Sequence, residues 1–174
     1  MHALAASLVS AALLATLAGC ASAPSAQTSP AARYVVVRHA EKADDGTRDP
    51  DLAPAGRERA QRLAARLREE PLRAVYVTAY RRTLQTGEPA ARAHGLTPVV
   101  YDAKRAPAEF AAQLRREHRD GAVLVVGHSN TAPDIAAALC ACAVEPMPET
   151  EYDRRMIVDI DAQGRATLRI ERDR

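Results

Sequence analysis

The sequence contains no tryptophan and a single phenylalanine, and aromatic residues make up 3% of its 174 positions. A core built on stacked rings is therefore excluded, and alanine, valine and leucine must fill the interior. Charge of one sign is also lacking. The 24 Lys and Arg against 22 Asp and Glu leave a formal +2, too little to imply nucleic acid as a partner. No internal repeat is visible. Cysteine is sparse, and Cys140 and Cys142 stand two apart in "AALCACAV". A disulfide over so short a span would be badly strained in a stretch that reads as helix, so both are expected to act as small core hydrophobes. No further ligands stand near them, which argues against a metal site there. What remains, 47% hydrophobic and 26% charged, suits one globular domain of ordinary size.

Long apolar runs are missing except at the N-terminus, where "ALAASLVSAALLATLAGC" has the length of a signal peptide and is short for a membrane span. It ends in Leu17-Ala18-Gly19-Cys20, which resembles the lipobox of bacterial lipoproteins. That resemblance implies that residues 1–20 are a lipoprotein signal peptide and that Cys20 carries the lipid that anchors the chain to a membrane. The other reading is an ordinary secretory signal with an incidental cysteine, and either exports the chain. Ala21 in place of Asp favours, by the same resemblance, the outer membrane, facing the periplasm. Residues 21–32, "ASAPSAQTSPAA", are uncharged and rich in Ala, Ser, Pro and Thr. They cannot bury a core and read as a flexible linker. The folded domain is expected over residues 33–174.

That domain alternates strand and helix patterns. "RYVVV" and "AVLVVG" are unbroken apolar runs, the mark of strands buried on both faces. "RAVYV" and "TPVVY" read as two further strands. In "PAGRERAQRLAARLREE", Gly56, Ala60, Leu63, Ala64 and Leu67 share one helical face. "RRTLQTGEPAARAHG", "APAEFAAQLRREHRDG" and "NTAPDIAAALCAC" read as helices, the last with Asn130 or Thr131 as its cap. His94 and His118 fall at helix ends and are expected at the surface. "RRMIVDID" and "GRATLRIER" look like a hairpin joined at Gln163-Gly164. The expected fold is α/β: three layers, a mostly parallel central sheet of about six strands with helices on both faces, and a C-terminal antiparallel hairpin.

In such sheets ligands bind beyond the carboxyl ends of the strands. Arg38-His39 stands there after the first strand and Gly127-His128-Ser129-Asn130 after the fourth, while Thr78 to Arg82 follow the second. Two histidines and two or three arginines thus converge with a helix N-terminus, a set suited to phosphate. Positive neighbours keep a histidine neutral, and a neutral imidazole is a nucleophile.

"RHAEK", "DLAPAGRERAQRLA", "TAYRRTLQT" and "VLVVGHSNT", in that order, resemble the histidine phosphatase superfamily, also called phosphoglycerate-mutase-like. The resemblance covers residues 33–174. It implies that His39 accepts the phosphoryl group, and that Arg38, Arg82 and His128 hold the phosphoryl oxygens. Arg82 rather than Arg81 takes the matching place, four residues after the hydroxyl residue Thr78. Departures from the family pattern are Ala40 for Gly, Thr78-Ala79 for Ser-Ser or Ser-Pro, and Ser129 where the acid-phosphatase branch has Asp. The general acid stays open among Asp102, Glu41 and Glu109. The implied activity is that of a metal-independent phosphatase without a cofactor, acting on a phosphorylated small molecule. The alternative is a non-catalytic anion-binding envelope lipoprotein of the same fold. A mutase is disfavoured because the domain has no room for the insertions that cover a mutase pocket.

Overall fold

Valine-rich runs without polar alternation need a cover on both sides, and the fold supplies two. The computed structural model describes residues 30–173, so the expected signal peptide, Cys20 and most of the expected linker lie outside the described residues. The elements run β1 (Ala32–Arg38), α1 (Pro54–Arg66), β2 (Leu72–Val77), α2 (Arg81–Ala93), β3 (Val99–Val100), α3 (Pro107–Glu117), β4 (Gly121–Gly127), α4 (Thr131–Cys140), β5 (Arg154–Ile160) and β6 (Ala166–Arg172). They form one six-stranded sheet of order β3-β2-β4-β1-β5-β6. β3, β2, β4 and β1 are parallel, whereas β5 runs antiparallel to β1 and β6 antiparallel to β5.

The period of two along each strand sorts the apolar runs into two cores. Tyr34, Val36, Tyr76, Val123 and Val125 point to one face and pack with Phe110 and Leu114 of α3 and Ile135 and Leu139 of α4. Val35, Val37, Val75, Val77, Leu124 and Val126 point to the other, against Leu63 of α1 and Ala90 of α2. The amphipathic face expected for α1 is the buried one: Gly56, Ala60, Leu63 and Ala64 are all enclosed, with Leu67 just past the helix end.

The hairpin forms as expected. β6, on the sheet edge, alternates half-buried and exposed, while β5, between β1 and β6, is buried over most of its length. β3 keeps two residues of its apolar stretch and leaves Val99 and Val100 about half exposed on the opposite edge. His94 and His118 are half-buried rather than superficial. His94 Nε2 lies 3.0 Å from the Leu67 carbonyl, and His118 Nε2 2.9 Å from the Tyr76 hydroxyl.

The cysteines correct the sequence reading. Cys140 and Cys142 are joined in a disulfide. Helix α4 stops at Cys140, and Ala141 adopts a left-handed backbone with φ 51° and ψ 40°. That turn brings the two Cα atoms to 5.1 Å, within disulfide range, where a continuing helix would have turned the side chains apart. Cys140 still packs into the core, but Cys142 is exposed.

One glycine is required where α1 begins. Ala53 N–H donates to the Glu41 carbonyl at 2.9 Å, and a Cβ on Gly56 would lie 2.1 Å from that same oxygen. Gly56→Ala must therefore push α1 off the loop that leaves β1. A loss of roughly 2–3 kcal/mol is expected, seen as a melting temperature lower by roughly 5–10 °C. An unchanged thermal transition would show that the loop yields freely.

Candidate active site

β1 and β4 are neighbours at the middle of the sheet, yet their chains part at the carboxyl ends. β1 leads to α1 on one face and β4 to α4 on the other. Such a divergence opens a crevice that no helix fills. Arg38 pairs with Gly127 in the ladder, so His39 and His128 emerge side by side, and His39 N–H donates to the Gly127 carbonyl at 2.9 Å. Their ring centroids are 5.5 Å apart. Gly127 leaves space for the start of α4: a Cβ there would lie 2.9 Å from Thr131 Oγ1, which accepts the His128 backbone N–H at 3.0 Å. The Thr131 and Ala132 N–H groups both donate to the His128 carbonyl. α4 thus contributes its dipole to the crevice rather than these two donors.

His39 is buried, and its Nδ1 lies 2.8 Å from the Ala40 carbonyl. A carbonyl oxygen only accepts, so Nδ1 carries the proton and Nε2 is left with a free lone pair. Burial pulls the His39 pKa down to about 4, against the Ala40 hydrogen bond, and the positive charges of Arg38 and Arg82 add to the fall. Burial likewise lowers His128 to about 4, helped by Arg82 and Arg38.

A hydroxyl relay sets the other histidine. The Thr83 hydroxyl donates to the carbonyls of Thr78 and Tyr80, at 2.9 and 2.8 Å. Its oxygen then accepts from Thr78 Oγ1 at 2.9 Å, and Thr78 Oγ1 in turn accepts from His128 Nε2 at 3.0 Å. His128 therefore carries its proton on Nε2, the opposite tautomer from His39.

Two arginines flank the pair. Arg82, on the first turn of α2, lies over the Tyr80 ring at 4.2 Å and sits 3.6 Å from Asp49, while its Nε is buried without a partner. Arg81, beside it in sequence, turns outward to Asp51 at 2.7 Å and its side chain is 58% exposed, against 15% for Arg82. Arg38 is gripped from a quarter that the sequence did not suggest. Its Nη1 donates to the carbonyls of Pro148, Glu149 and Glu151, its Nη2 reaches the Glu149 carboxylate at 2.6 Å, and its guanidinium lies 4.1 Å over the Tyr152 ring. The cause is topological. β5 is antiparallel to β1, with Val37 opposite Arg155, so the residues just before β5 land beside the carboxyl end of β1.

Arg38, His39, Arg82 and His128 line one hollow of about 430 Å³, together with Ser129 and Glu149 among others. Glu149 is the carboxylate of that lining, and the Ser129 hydroxyl donates to its second oxygen. The three acids considered from the sequence stand elsewhere. Glu41 is held bidentately by Arg59, Nε to Oε2 and Nη2 to Oε1. Asp102 accepts the Lys104 backbone N–H at 2.9 Å and lines a separate hollow beside β3. Glu109 sits exposed on the first turn of α3. Glu149 and Tyr152 had no signal in the sequence beyond being polar residues in a loop. A neutral imidazole with a free Nε2 among guanidinium groups can attack an electrophile that carries negative oxygens.

The family model of the histidine phosphatase superfamily (branch 1) matches residues 34–105, a span that contains Arg38, His39 and Arg82. The protein histidine phosphatase SixA complexed with tungstate is 21% identical, with 80% of this chain and 96% of that chain covered and a TM-score of 0.63. The mycobacterial glucosyl-3-phosphoglycerate phosphatase is 16% identical, covers 82% of this chain and 99% of its own, and has a TM-score of 0.62. A phosphoserine phosphatase mutant from Entamoeba histolytica, in complex with phosphoserine, is 11% identical over 79% of this chain and 94% of its own, with a TM-score of 0.58. These likenesses establish a shared fold. No curated protein matches the chain. The matched segment carries Arg38, His39 and Arg82 of this site, and the solved structures share its fold.

Proposed function

We propose that the protein is a phosphatase that hydrolyses a phosphomonoester or a phosphoramidate through a phosphohistidine on His39. The observation that carries this reading is a buried, neutral His39 whose Nε2 is free because Nδ1 is tied to Ala40. Nε2 attacks phosphorus, the bond from phosphorus to the leaving oxygen or nitrogen breaks, and the leaving atom takes a proton. Water then attacks the phosphohistidine, the P–N bond breaks with its electrons returning to Nε2, and orthophosphate departs. Arg38, Arg82 and His128 face the oxygens on which charge builds up. A bound dianion raises the proton affinity of His128, which then donates from both ring nitrogens. The proton that the leaving atom takes comes from water, because Glu149, the carboxylate within the hollow, is held ionised, below the usual carboxylate range, by the Ser129 hydroxyl and Arg38.

Cations take the place that carboxylate ligands occupy in metal-dependent phosphatases, and among the described residues no three potential metal ligands stand together. The reading is therefore of a metal-independent reaction. Incubation with a ³²P-labelled aryl phosphate in EDTA, followed by quenching, is expected to release labelled orthophosphate and to trap acid-labile, base-stable label on the protein. Loss of both on chelation, restored by one metal ion, would overturn it. An anion binder without turnover is the second reading, favoured because Glu149 already occupies Arg38 Nη2. Such a protein would bind orthophosphate yet release none from any substrate.

The depressed histidines give the reaction a pH signature. The nucleophile must be neutral, and His39 in the free protein protonates near 4 rather than at the ordinary imidazole value. With the substrate's own second phosphate ionisation, near pH 6, divided out, log kcat/KM is expected to stay level as pH falls through 6 and to drop only as it approaches about 4. An acid limb centred near 6.5 would show His39 to be solvated and ordinary. The Cys140–Cys142 disulfide suits an oxidising compartment, which supports the export expected from residues 1–20.

A further inference from the structure

The hollow holds more positive charge than one phosphoryl group needs. Besides Arg38 and Arg82 it is lined by Lys42 and Arg48, from the loop after β1, and by Lys104, from the loop after β3. Cations elsewhere on this protein are mostly paired: Arg33 with Asp159, Arg59 with Glu41, Arg81 with Asp51 and Arg92 with Glu88 are examples. Among the described residues the Lys42, Arg48 and Lys104 side chains have neither a carboxylate within 4.0 Å nor a hydrogen-bond partner. The acids of the same loop are committed elsewhere. Asp45 binds Thr47, Asp49 faces Arg81 and Arg82, Asp51 binds Arg81 and Gln85, and Asp44 is not in the lining.

Three unpaired cations around one opening repel each other, a cost in the free protein that a second anion relieves. At about 430 Å³ the hollow also exceeds the needs of a phosphoryl group alone, within the roughly 300–1,000 Å³ usual for whole small-molecule ligands. We infer that the hollow selects small phosphorylated substrates carrying a second anionic group, a carboxylate or another phosphate, on the part that leaves. Lys42, Arg48 and Lys104 hold that second group while Arg38, Arg82 and His128 hold the phosphoryl group to be transferred. This rests on the phosphatase reading for the identity of the site, but the charge surplus is a separate observation.

The test compares propyl phosphate with propane-1,3-diyl bisphosphate, and phenyl phosphate with 4-carboxyphenyl phosphate, using the full-length protein. Binding is measured by calorimetry in His39→Ala, so that hydrolysis does not intervene, and turnover in the wild type. The doubly anionic member of each pair is expected to bind at least tenfold more tightly and to show a KM lower by a similar factor. Combining K42A, R48A and K104A should shrink the ratio below threefold, with each single substitution giving part of the loss. Melting curves of the singles guard against an unfolded triple variant. Added salt should compress the wild-type ratio, since exposed charges are screened. Equal affinities within each pair, or a ratio that survives the triple substitution, would overturn the inference. Selective binding with no turnover of any probe would sink the phosphatase reading and leave this one standing; turnover without selectivity would do the reverse.

Discussion

Replacing His39 with alanine is expected to abolish turnover, by roughly 10⁴-fold or more, because the group that forms the covalent intermediate is gone and no other free imidazole nitrogen takes its position. His39 does not hold the domain together. Its one side-chain hydrogen bond runs to its neighbour Ala40, and β1 is fastened by the ladders to β4 and β5 on either side. The variant should therefore keep its far-UV dichroism and a cooperative thermal transition. Rapid quench with a ³²P-labelled substrate should leave acid-labile, base-stable label on the wild type and none on the variant. His128→Ala removes a flanking donor and leaves the nucleophile, so its label should appear more slowly but still appear. Full activity in His39→Ala would remove His39 from the chemistry and require another nucleophile in the hollow.

The second large effect separates two adjacent arginines. Arg82→Ala is expected to lower kcat/KM by about 10²–10³, the usual result when a charge-assisted contact to a developing anion is lost, or roughly 3–4 kcal/mol. Arg81→Ala should change it by less than a few-fold. The structure gives the reason. Arg82 lines the hollow, with a buried Nε that has no protein partner, whereas Arg81 spends its side chain on Asp51 in solvent. Inhibition by orthophosphate or vanadate should weaken in the Arg82 variant alone. If Arg81 proved the damaging position, the first turn of α2 would have to be rotated relative to the hollow, and the role of Tyr80 beneath Arg82 would fall with it.

Much of this was legible in the sequence, because the relevant signals are local. "YVVVRH" and "VLVVGH" each join a strand long and apolar enough to be central to a pair of residues that cannot be buried without partners. A parallel sheet gathers the carboxyl ends of its strands on one edge, so Arg38, His39 and His128 had to meet once the strands were recognised. The choice of Arg82 over Arg81 came from the family resemblance, which implies an arginine four residues after a hydroxyl residue, here Thr78. The helical period of α1 named its buried face residue by residue.

Other features depend on contacts between residues far apart in the chain, and no periodicity reports them. The sequence showed that β5 and β6 form a hairpin, but not that β5 lies antiparallel beside β1. That pairing alone carries Glu149 and Tyr152 onto Arg38, over more than a hundred residues of separation. For the same reason Glu41, Asp102 and Glu109, close to the motifs in sequence, are not in the hollow, whereas Glu149, remote in sequence, lines it. The Cys140–Cys142 bond escaped for a different reason. Helical propensity through "AALCAC" is strong, and only the end of α4 at Cys140, with Ala141 in a left-handed conformation, brings the sulfurs together. By itself the sequence determined the strands, the helices and the residues delivered at their ends, since each is set by a repeat of two or 3.6 residues along the chain. The tertiary structure decided which neighbours those residues meet, because strand order and direction are settled by the packing of the whole sheet.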